Sequence, residues 1–142
     1  MLILKYTSQW LQDFAAIKRE IDKGLAGLAY KIEHIGSTAV PQLDAKPIID
    51  IDIVYVNDSE FEGIKSGLMA LGYHHTGNQG IEDREVFKRS GVYFNAILDT
   101  IPHHLYVCPQ NSKALESHIL IRDFLRTNEA VRLEYQQMKY HL

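Results

Sequence analysis

Two aspartates on one side of an isoleucine-rich segment are the strongest candidates for chemistry in this sequence. The segment reads IIDIDIVYV and carries Asp50 and Asp52. Because side chains alternate across a strand, the two carboxylates point to one face, about 7 Å apart along the backbone, and the isoleucines point to the other. Paired carboxylates repel each other, and a hard cation such as Mg²⁺ relieves that repulsion while it binds phosphate oxygens. The alternative is a strand whose polar face is exposed to water.

A Gly-Ser pair shortly before the aspartates is the second candidate. Gly36, Ser37 and Thr38 directly follow a strand-like segment, and Pro41 limits a helix there to about one turn. Glycine permits a tight turn and a close approach of a ligand. The serine hydroxyl and the amides of Ser37 and Thr38 suit a phosphate. Such pairs also occur in ordinary loops, so the assignment depends on the nearby aspartates.

Four further side chains have charges or donors that suit the same chemistry. Lys46 stands at the start of the aspartate segment and is a candidate to neutralise a phosphate. Arg84 and Lys88 share one face of a predicted strand and suit a triphosphate. His104 shares a strand face with Tyr106, where it is a candidate metal ligand or acid–base group. For Lys46, Arg84 and Lys88 the alternative is an ordinary exposed charge.

Composition is that of a single soluble domain over residues 1–142. The chain has 46% hydrophobic residues and a net charge of −3, which gives no broad attraction to nucleic acid or to a membrane. The first residues, MLILKYTSQW, have too short an apolar run for a signal peptide, and no segment is long enough for a membrane span. We therefore expect a cytoplasmic protein. The single cysteine, Cys108, is expected to be buried and apolar rather than nucleophilic.

Hydrophobic periodicity indicates an α+β fold. Apolar side chains at spacings of three and four, with glycine at the end, predict the two N-terminal helices, and Ser59 and Glu62 have capping-box spacing for the second. Isoleucine- and valine-rich runs predict the strands, and Ser90-Gly91 predicts a hairpin. The predicted elements are helix 8–24, strands 29–35 and 48–56, helix 57–71, a loop 73–80, strands 85–89, 92–98 and 104–107, and helices 113–126 and 129–140.

The sequence around the aspartates resembles a known signature. Residues 32–55, IEHIGSTAVPQLDAKPIIDIDIVY, resemble the nucleotidyltransferase superfamily and, more closely, the GrpB family, and RDFLRTNEAV and HHLYVCPQNS extend the likeness over most of the chain. The resemblance implies a nucleotidyltransferase-like mixed β-sheet flanked by helices, with a C-terminal helical pair. It also implies that Gly36 and Ser37 hold nucleotide phosphates, and that Asp50 and Asp52 bind magnesium and assist attack on the α-phosphate.

The chain departs from that pattern where the superfamily has a third carboxylate. The corresponding strand reads PHHLYV, with His104 at the expected position. A site of Asp50, Asp52 and His104 would accept Mn²⁺ or Zn²⁺ better than Mg²⁺. The leading hypothesis is a divalent-metal-dependent nucleotidyltransferase-like protein that binds a nucleoside triphosphate. The alternatives are an inactive module that binds a nucleotide or another phosphorylated small molecule, and a phosphohydrolase that uses His104. The nucleotide base, the acceptor and the oligomeric state stay open.

Overall fold

A five-stranded sheet with helices on both faces forms the protein. The computed structural model describes residues 2–141. The helices are α1 Gln9–Gly24, α2 Phe61–Ala70, α3 Ala96–Thr100, α4 Lys113–Thr127 and α5 Glu129–Tyr140, and the strands are β1 Lys31–Ile35, β2 Ile49–Tyr55, β3 Tyr73–His75, β4 Glu85–Arg89 and β5 His103–Pro109. Two short 3₁₀ helices, Ser37–Ala39 and Asp58–Glu60, follow β1 and β2.

The sheet is mixed, and its centre is a parallel pair of strands. The strand order is β1-β2-β5-β4-β3. β2 and β5 run parallel, while the other neighbouring strands are antiparallel. In the central pair Asp50 lies beside His104 and Asp52 beside Tyr106. The predicted α+β class and mixed sheet are confirmed, and so is the helical pair at the C-terminal end.

Alternation along β2 separates the core from the polar face. Ile49, Ile51 and Ile53 are buried in one apolar cluster with side chains of α1 and α2. Each buried isoleucine contributes about 1.5–3 kcal/mol to stability relative to an exposed one. Asp50 and Asp52 therefore lie on the opposite face, which α4 covers. The burial of the isoleucines fixes the register of the strand and with it the direction of both carboxylates.

The prediction of a strand at residues 92–98 and of a hairpin at Ser90-Gly91 is wrong. Phe94 is 79% exposed, and the Asn95 side chain accepts hydrogen bonds from the amides of Ile97 and Leu98, which begins α3. The remaining strand is instead Tyr73–His75, within the segment predicted as a loop. It pairs with β4 at the edge of the sheet.

Most other boundaries agree with the sequence to within two residues. α5 has the predicted ends, and α4 extends one residue further than predicted. The capping box before α2 is formed by Asn57 and Glu60, so the predicted pairing of Ser59 with Glu62 is wrong. None of the helices in residues 2–141 has the length and apolarity that crossing a membrane requires.

Candidate functional site

Both aspartates of β2 are hydrogen-bonded to a histidine. Oδ1 of Asp50 is 2.9 Å from Nδ1 of His104, its neighbour on β5. Oδ2 of Asp52 is 2.9 Å from Nδ1 of His118, which lies on α4. Because an ionised carboxylate only accepts hydrogen bonds, Nδ1 of each imidazole is the donor. Nε2 of each neutral ring is then left as a proton acceptor.

Each carboxylate keeps one oxygen without a hydrogen bond inside residues 2–141. For Asp50 this is Oδ2, which faces Gly36. For Asp52 it is Oδ1, which is buried and has no partner within that range. Asp52 is 1% exposed, and a buried carboxylate oxygen without a partner is unfavourable unless a cation or donor satisfies it. Oδ1 of Asp52 is therefore the oxygen that a cation or a donor group of a ligand would satisfy.

His104 has the electrostatic surroundings of an acid–base group. Its hydrogen bond with Asp50 raises the pKa of the imidazole, against the effects of burial and of the positive charges of Lys88 and Arg84. The side chain is more than half exposed, so Nε2 is open to a ligand. A histidine whose ring is oriented by a carboxylate can take up a proton during a reaction.

The Gly-Ser corner lies directly against Asp50. Gly36 has a φ of +76°, and a Cβ on it would lie 2.5 Å from Oδ2 of Asp50. Glycine is needed here for both the backbone conformation and the close approach. Ser37 begins the 3₁₀ turn and lines two cavities that also include Asp50. The structure therefore brings Gly36, Ser37 and the first aspartate together, as the sequence predicted.

Thr38 faces the protein interior. It is 1% exposed, and its Oγ1 lies 2.9 Å from Nε2 of His34. The His34 ring stacks on Phe14 with 4.6 Å between the ring centroids, and burial lowers the pKa of His34 to about 4. His34 thus orients the turn. The hydroxyl of Thr38 takes part in this packing, so only its backbone amide remains as a candidate phosphate donor.

A cavity of about 690 Å³ opens beside the corner. Ser37, Asp50 and His104 form one wall, and Lys46 and Lys139 supply positive charges. Lys46 is exposed, and it lies where the sequence predicted a phosphate-neutralising group. Burial lowers the pKa of Lys139, whose Nζ donates to the carbonyl oxygen of Asp44 at 3.1 Å. The volume is in the range of small-molecule sites.

α4 contributes a row of side chains that the sequence did not assign to the site. His118 binds Asp52, and Arg122 donates to Glu33 at 2.7 Å and to Asp123 at 2.9 Å. Nε of Arg126 donates to the carbonyl oxygen of Ala39, which holds α4 against the corner. Spacing of four between these side chains is the one signal in the sequence that they share a helix face.

Arg84 and Lys88 lie away from the corner. They line a separate cavity of about 580 Å³ over β4 and β5, together with His104 and Tyr106. The guanidinium of Arg84 is 4.2 Å from the centroid of the Tyr106 ring, as in a cation–π contact. The structure thus places the two predicted phosphate ligands on the far side of His104 from Ser37 and Lys46.

Of the predicted metal ligands, Asp50 pairs with His104, whereas Asp52 pairs with His118, which the sequence did not predict as a ligand. Among residues 2–141, no set of three or more histidine, cysteine, aspartate or glutamate side chains is arranged to hold a metal ion. A joint site of Asp50, Asp52 and His104 therefore stays a prediction. Cys108 is buried, as expected.

Solved structures share this architecture. The conserved protein GrpB from Enterococcus faecalis matches with a TM-score of 0.79 and 26% identity over 99% of this chain and 81% of its own. Cid1, a poly(U) polymerase solved in complexes with MgATP and with a UTP analogue, matches with TM-scores of 0.62 and 0.59 at 12% identity, over 92% of this chain. These matches to Cid1 concern the fold alone, and the chain has a nucleotidyltransferase-like fold.

Sequence comparison gives the family. The protein YqkA of Bacillus subtilis is 31% identical over 99% of this chain, and the glutamate-rich protein GrpB of Alkalihalophilus pseudofirmus is 28% identical over 100% of it. The chain spans 39% of the length of YqkA and 80% of the length of the second protein. A family model described as GrpB protein matches residues 1–142. The chain therefore belongs to the GrpB family.

Proposed function

We propose that this chain binds a nucleoside triphosphate with a divalent cation and transfers the nucleotidyl group to an acceptor. The observation that carries the proposal is the pair of carboxylate oxygens without hydrogen-bond partners in residues 2–141, Oδ2 of Asp50 and Oδ1 of Asp52. Oδ2 of Asp50 lies beside the Gly36–Ser37 corner, on a sheet with the nucleotidyltransferase-like fold.

Asp50 and Asp52 are the residues that would hold the cation, Mg²⁺ in the first instance. Oxygen ligands of this kind suit Mg²⁺, which usually keeps part of its hydration shell and binds phosphate oxygens as well. A bound cation supplies charge stabilisation for the phosphate oxygens and the leaving pyrophosphate. If Nε2 of His104 is also a ligand, Mn²⁺ or Zn²⁺ becomes the better cation.

The triphosphate has a complementary place in the cavity beside the corner. Ser37 offers its hydroxyl and backbone to the cavity, and Lys46 and Lys139 in its lining supply positive charge. Charge-assisted hydrogen bonds of this kind are roughly twice as strong as neutral ones. The side chains of Tyr135 and Tyr140 give the same cavity an aromatic wall, which suits stacking of a nucleobase.

His104 would accept the proton of the attacking group. The acceptor hydroxyl oxygen forms a bond to the α-phosphorus, and the bond from that phosphorus to the bridging oxygen of the β-phosphate breaks. The electron pair leaves with pyrophosphate, and the hydroxyl proton passes to Nε2 of His104. Asp50, hydrogen-bonded to Nδ1, holds the ring in the tautomer that this step needs. His104 thus replaces the third carboxylate of the superfamily pattern.

A transfer assay tests this proposal. The protein is incubated with each of the four nucleoside triphosphates, labelled at the α-phosphate, with Mg²⁺ or Mn²⁺ and a panel of small hydroxylated acceptors. We expect pyrophosphate release with labelled product, and loss of both in His104→Gln while nucleotide binding remains. His74→Gln is the matched control, because His74 is exposed on β3 and lines none of the three cavities described above. Release of inorganic phosphate in place of pyrophosphate would support a phosphohydrolase.

A second candidate function is binding without catalysis. It is favoured by the residues beside the aspartates on β5, which are His104 and Tyr106 rather than a third acid. In that case a nucleotide or another phosphorylated small molecule would bind at the corner and leave unchanged. Binding of a nucleotide with no pyrophosphate release under any acceptor or cation would move this candidate to first place.

A further inference from the structure

We propose that the cavity over β4 and β5 is the acceptor site, and that it takes a small molecule carrying a carboxylate or phosphate beside a hydroxyl. This inference rests on the proposed nucleotidyl transfer. It names the substrate class that the transfer reaction would use. The ligand chemistry is an oxyanion recognised by Arg84 and Lys88, with the hydroxyl directed to His104.

His104 connects this cavity to the nucleotide side. It lines both the cavity of about 580 Å³ over β4 and β5 and the cavity of about 690 Å³ beside the corner. A proton acceptor for group transfer must reach the attacking hydroxyl while the phosphate lies on its other side. A side chain in the wall of two neighbouring cavities meets that requirement. The acceptor then enters from the β4 side, and the nucleotide enters from the corner side.

The two positive side chains of the cavity that are unpaired within residues 2–141, Arg84 and Lys88, are complementary to an anionic ligand. Neither Arg84 nor Lys88 forms a salt bridge within residues 2–141. Arg89, the other arginine in the wall, is paired with Asp99 at 2.8 Å, so these two charges offset each other. Nε of Arg84 is buried without a hydrogen-bond partner in the described part of the chain. Because this N–H donor has no partner among the described residues, the guanidinium is suited to bind an oxyanion of a ligand.

The remaining walls limit the size and character of the ligand. Tyr106 lies under the Arg84 guanidinium at 4.2 Å and fixes its plane. Apolar side chains, among them Val86, Leu98 and Ile101, form another part of the lining. A cavity of this volume fits a small molecule with a short hydrocarbon part. Carboxylates and phosphate monoesters share the required geometry, because both accept paired hydrogen bonds from a guanidinium.

The test uses two probes that each carry a hydroxyl beside an oxyanion. Glycerol 3-phosphate represents phosphate monoesters, and malate represents hydroxy acids. Each is titrated into ¹⁵N-labelled protein without nucleotide, and the amide signals of β4 and β5 are followed. We expect saturable shifts there with at least one probe, and the tighter probe identifies the oxyanion. We expect affinity to fall about tenfold or more in Arg84→Ala/Lys88→Ala, because two charge-assisted contacts are lost.

Arg19→Ala/Lys31→Ala is the matched control, because it removes the same two residue types from exposed positions on α1 and β1. It should keep the wild-type affinity for both probes. Lys88→Ala alone should also weaken binding of the probes. Because Lys88 is exposed, this single variant provides the test if the double variant unfolds. No saturable shift with either probe, or equal affinity in the double variant and the wild type, overturns the inference.

A parallel titration with MgATP, MgUTP, MgCTP and MgGTP separates this inference from the proposed function. Nucleotide binding without probe binding overturns the acceptor site and leaves the proposed function standing. Probe binding without binding of any nucleotide overturns the acceptor role, because no donor would then be available. Binding of both a nucleotide and a probe supports two separate sites on either side of His104, provided that saturating glycerol 3-phosphate or malate leaves the nucleotide affinity unchanged.

Discussion

Replacing Gly36 with alanine measures how closely the corner approaches the aspartate strand. Gly36 has a φ of +76° and a ψ of −175°, a region that other residues enter at a cost of about 1–3 kcal/mol. The new Cβ would lie 2.5 Å from Oδ2 of Asp50, so the carboxylate must turn away. A side chain forced off its rotamer costs about 0.5–1.5 kcal/mol. Together these effects predict a loss of roughly 2–4 kcal/mol in the free energy of unfolding.

Gly27→Ala is the matched control, because Gly27 has a φ of +82° and nothing lies within 4 Å of the Cβ position. It shares the positive φ without the contact. In urea unfolding, Gly36→Ala should lose about 1 kcal/mol more than Gly27→Ala. The excess should disappear when Asp50→Ala is the background, since the contact partner is then absent. Equal losses at both glycines, or an excess that persists without Asp50, would refute the reasoning.

Three predictions concern titratable groups. Burial lowers the pKa of His34 from 6.5 to about 4, so the unfolded state binds the proton first and stability falls as the pH drops from about 6.5 to about 4. His34→Gln should flatten this pH dependence of urea unfolding. An unchanged pH profile would show that His34 does not cause it. Asp50→Ala should lower the pKa of His104, because their hydrogen bond is the largest cause that raises it; an unchanged histidine NMR titration would argue against the contact. Burial raises the pKa of Cys108 to about 12, so a thiol reagent at pH 8 should label it only after unfolding, and rapid labelling of the folded protein would be the opposite result.

The fold could be predicted where a local pattern and the packing agree. The IDIDI alternation fixed which face of β2 is buried, and apolar stripes identified α1 and α2. The failure at Val92 to Phe94 has a physical cause. These residues have high β propensity, but the Asn95 cap starts a helix immediately after them, and strand formation depends on a pairing partner more than on propensity. Strand β3 shows the opposite case. Its three residues were predicted as a loop, but they are extended because they pair with β4.

The candidate site could be predicted in part, for a related reason. Gly36, Ser37, Asp50 and Asp52 lie close together in the sequence, and strand alternation alone gives the direction of the carboxylates. His118 is 66 residues from Asp52, and only the packing of α4 on the sheet brings them together. The same limit applies to Lys88 on β4 and to Arg84 just before that strand, because the local sequence gives no information on the cavity that they line.

The most direct measurement of the central claim is isothermal titration of the four nucleoside triphosphates, with and without Mg²⁺, into wild-type protein and Asp52→Asn. We expect at least one nucleotide to bind with Mg²⁺, EDTA to abolish the binding, and Asp52→Asn to lose it. Asp58→Asn, an exposed change in the 3₁₀ turn after β2, should bind as the wild type does. Absence of binding by all four nucleotides, or binding that neither EDTA nor Asp52→Asn alters, would contradict a cation-dependent nucleotide site at Asp50 and Asp52.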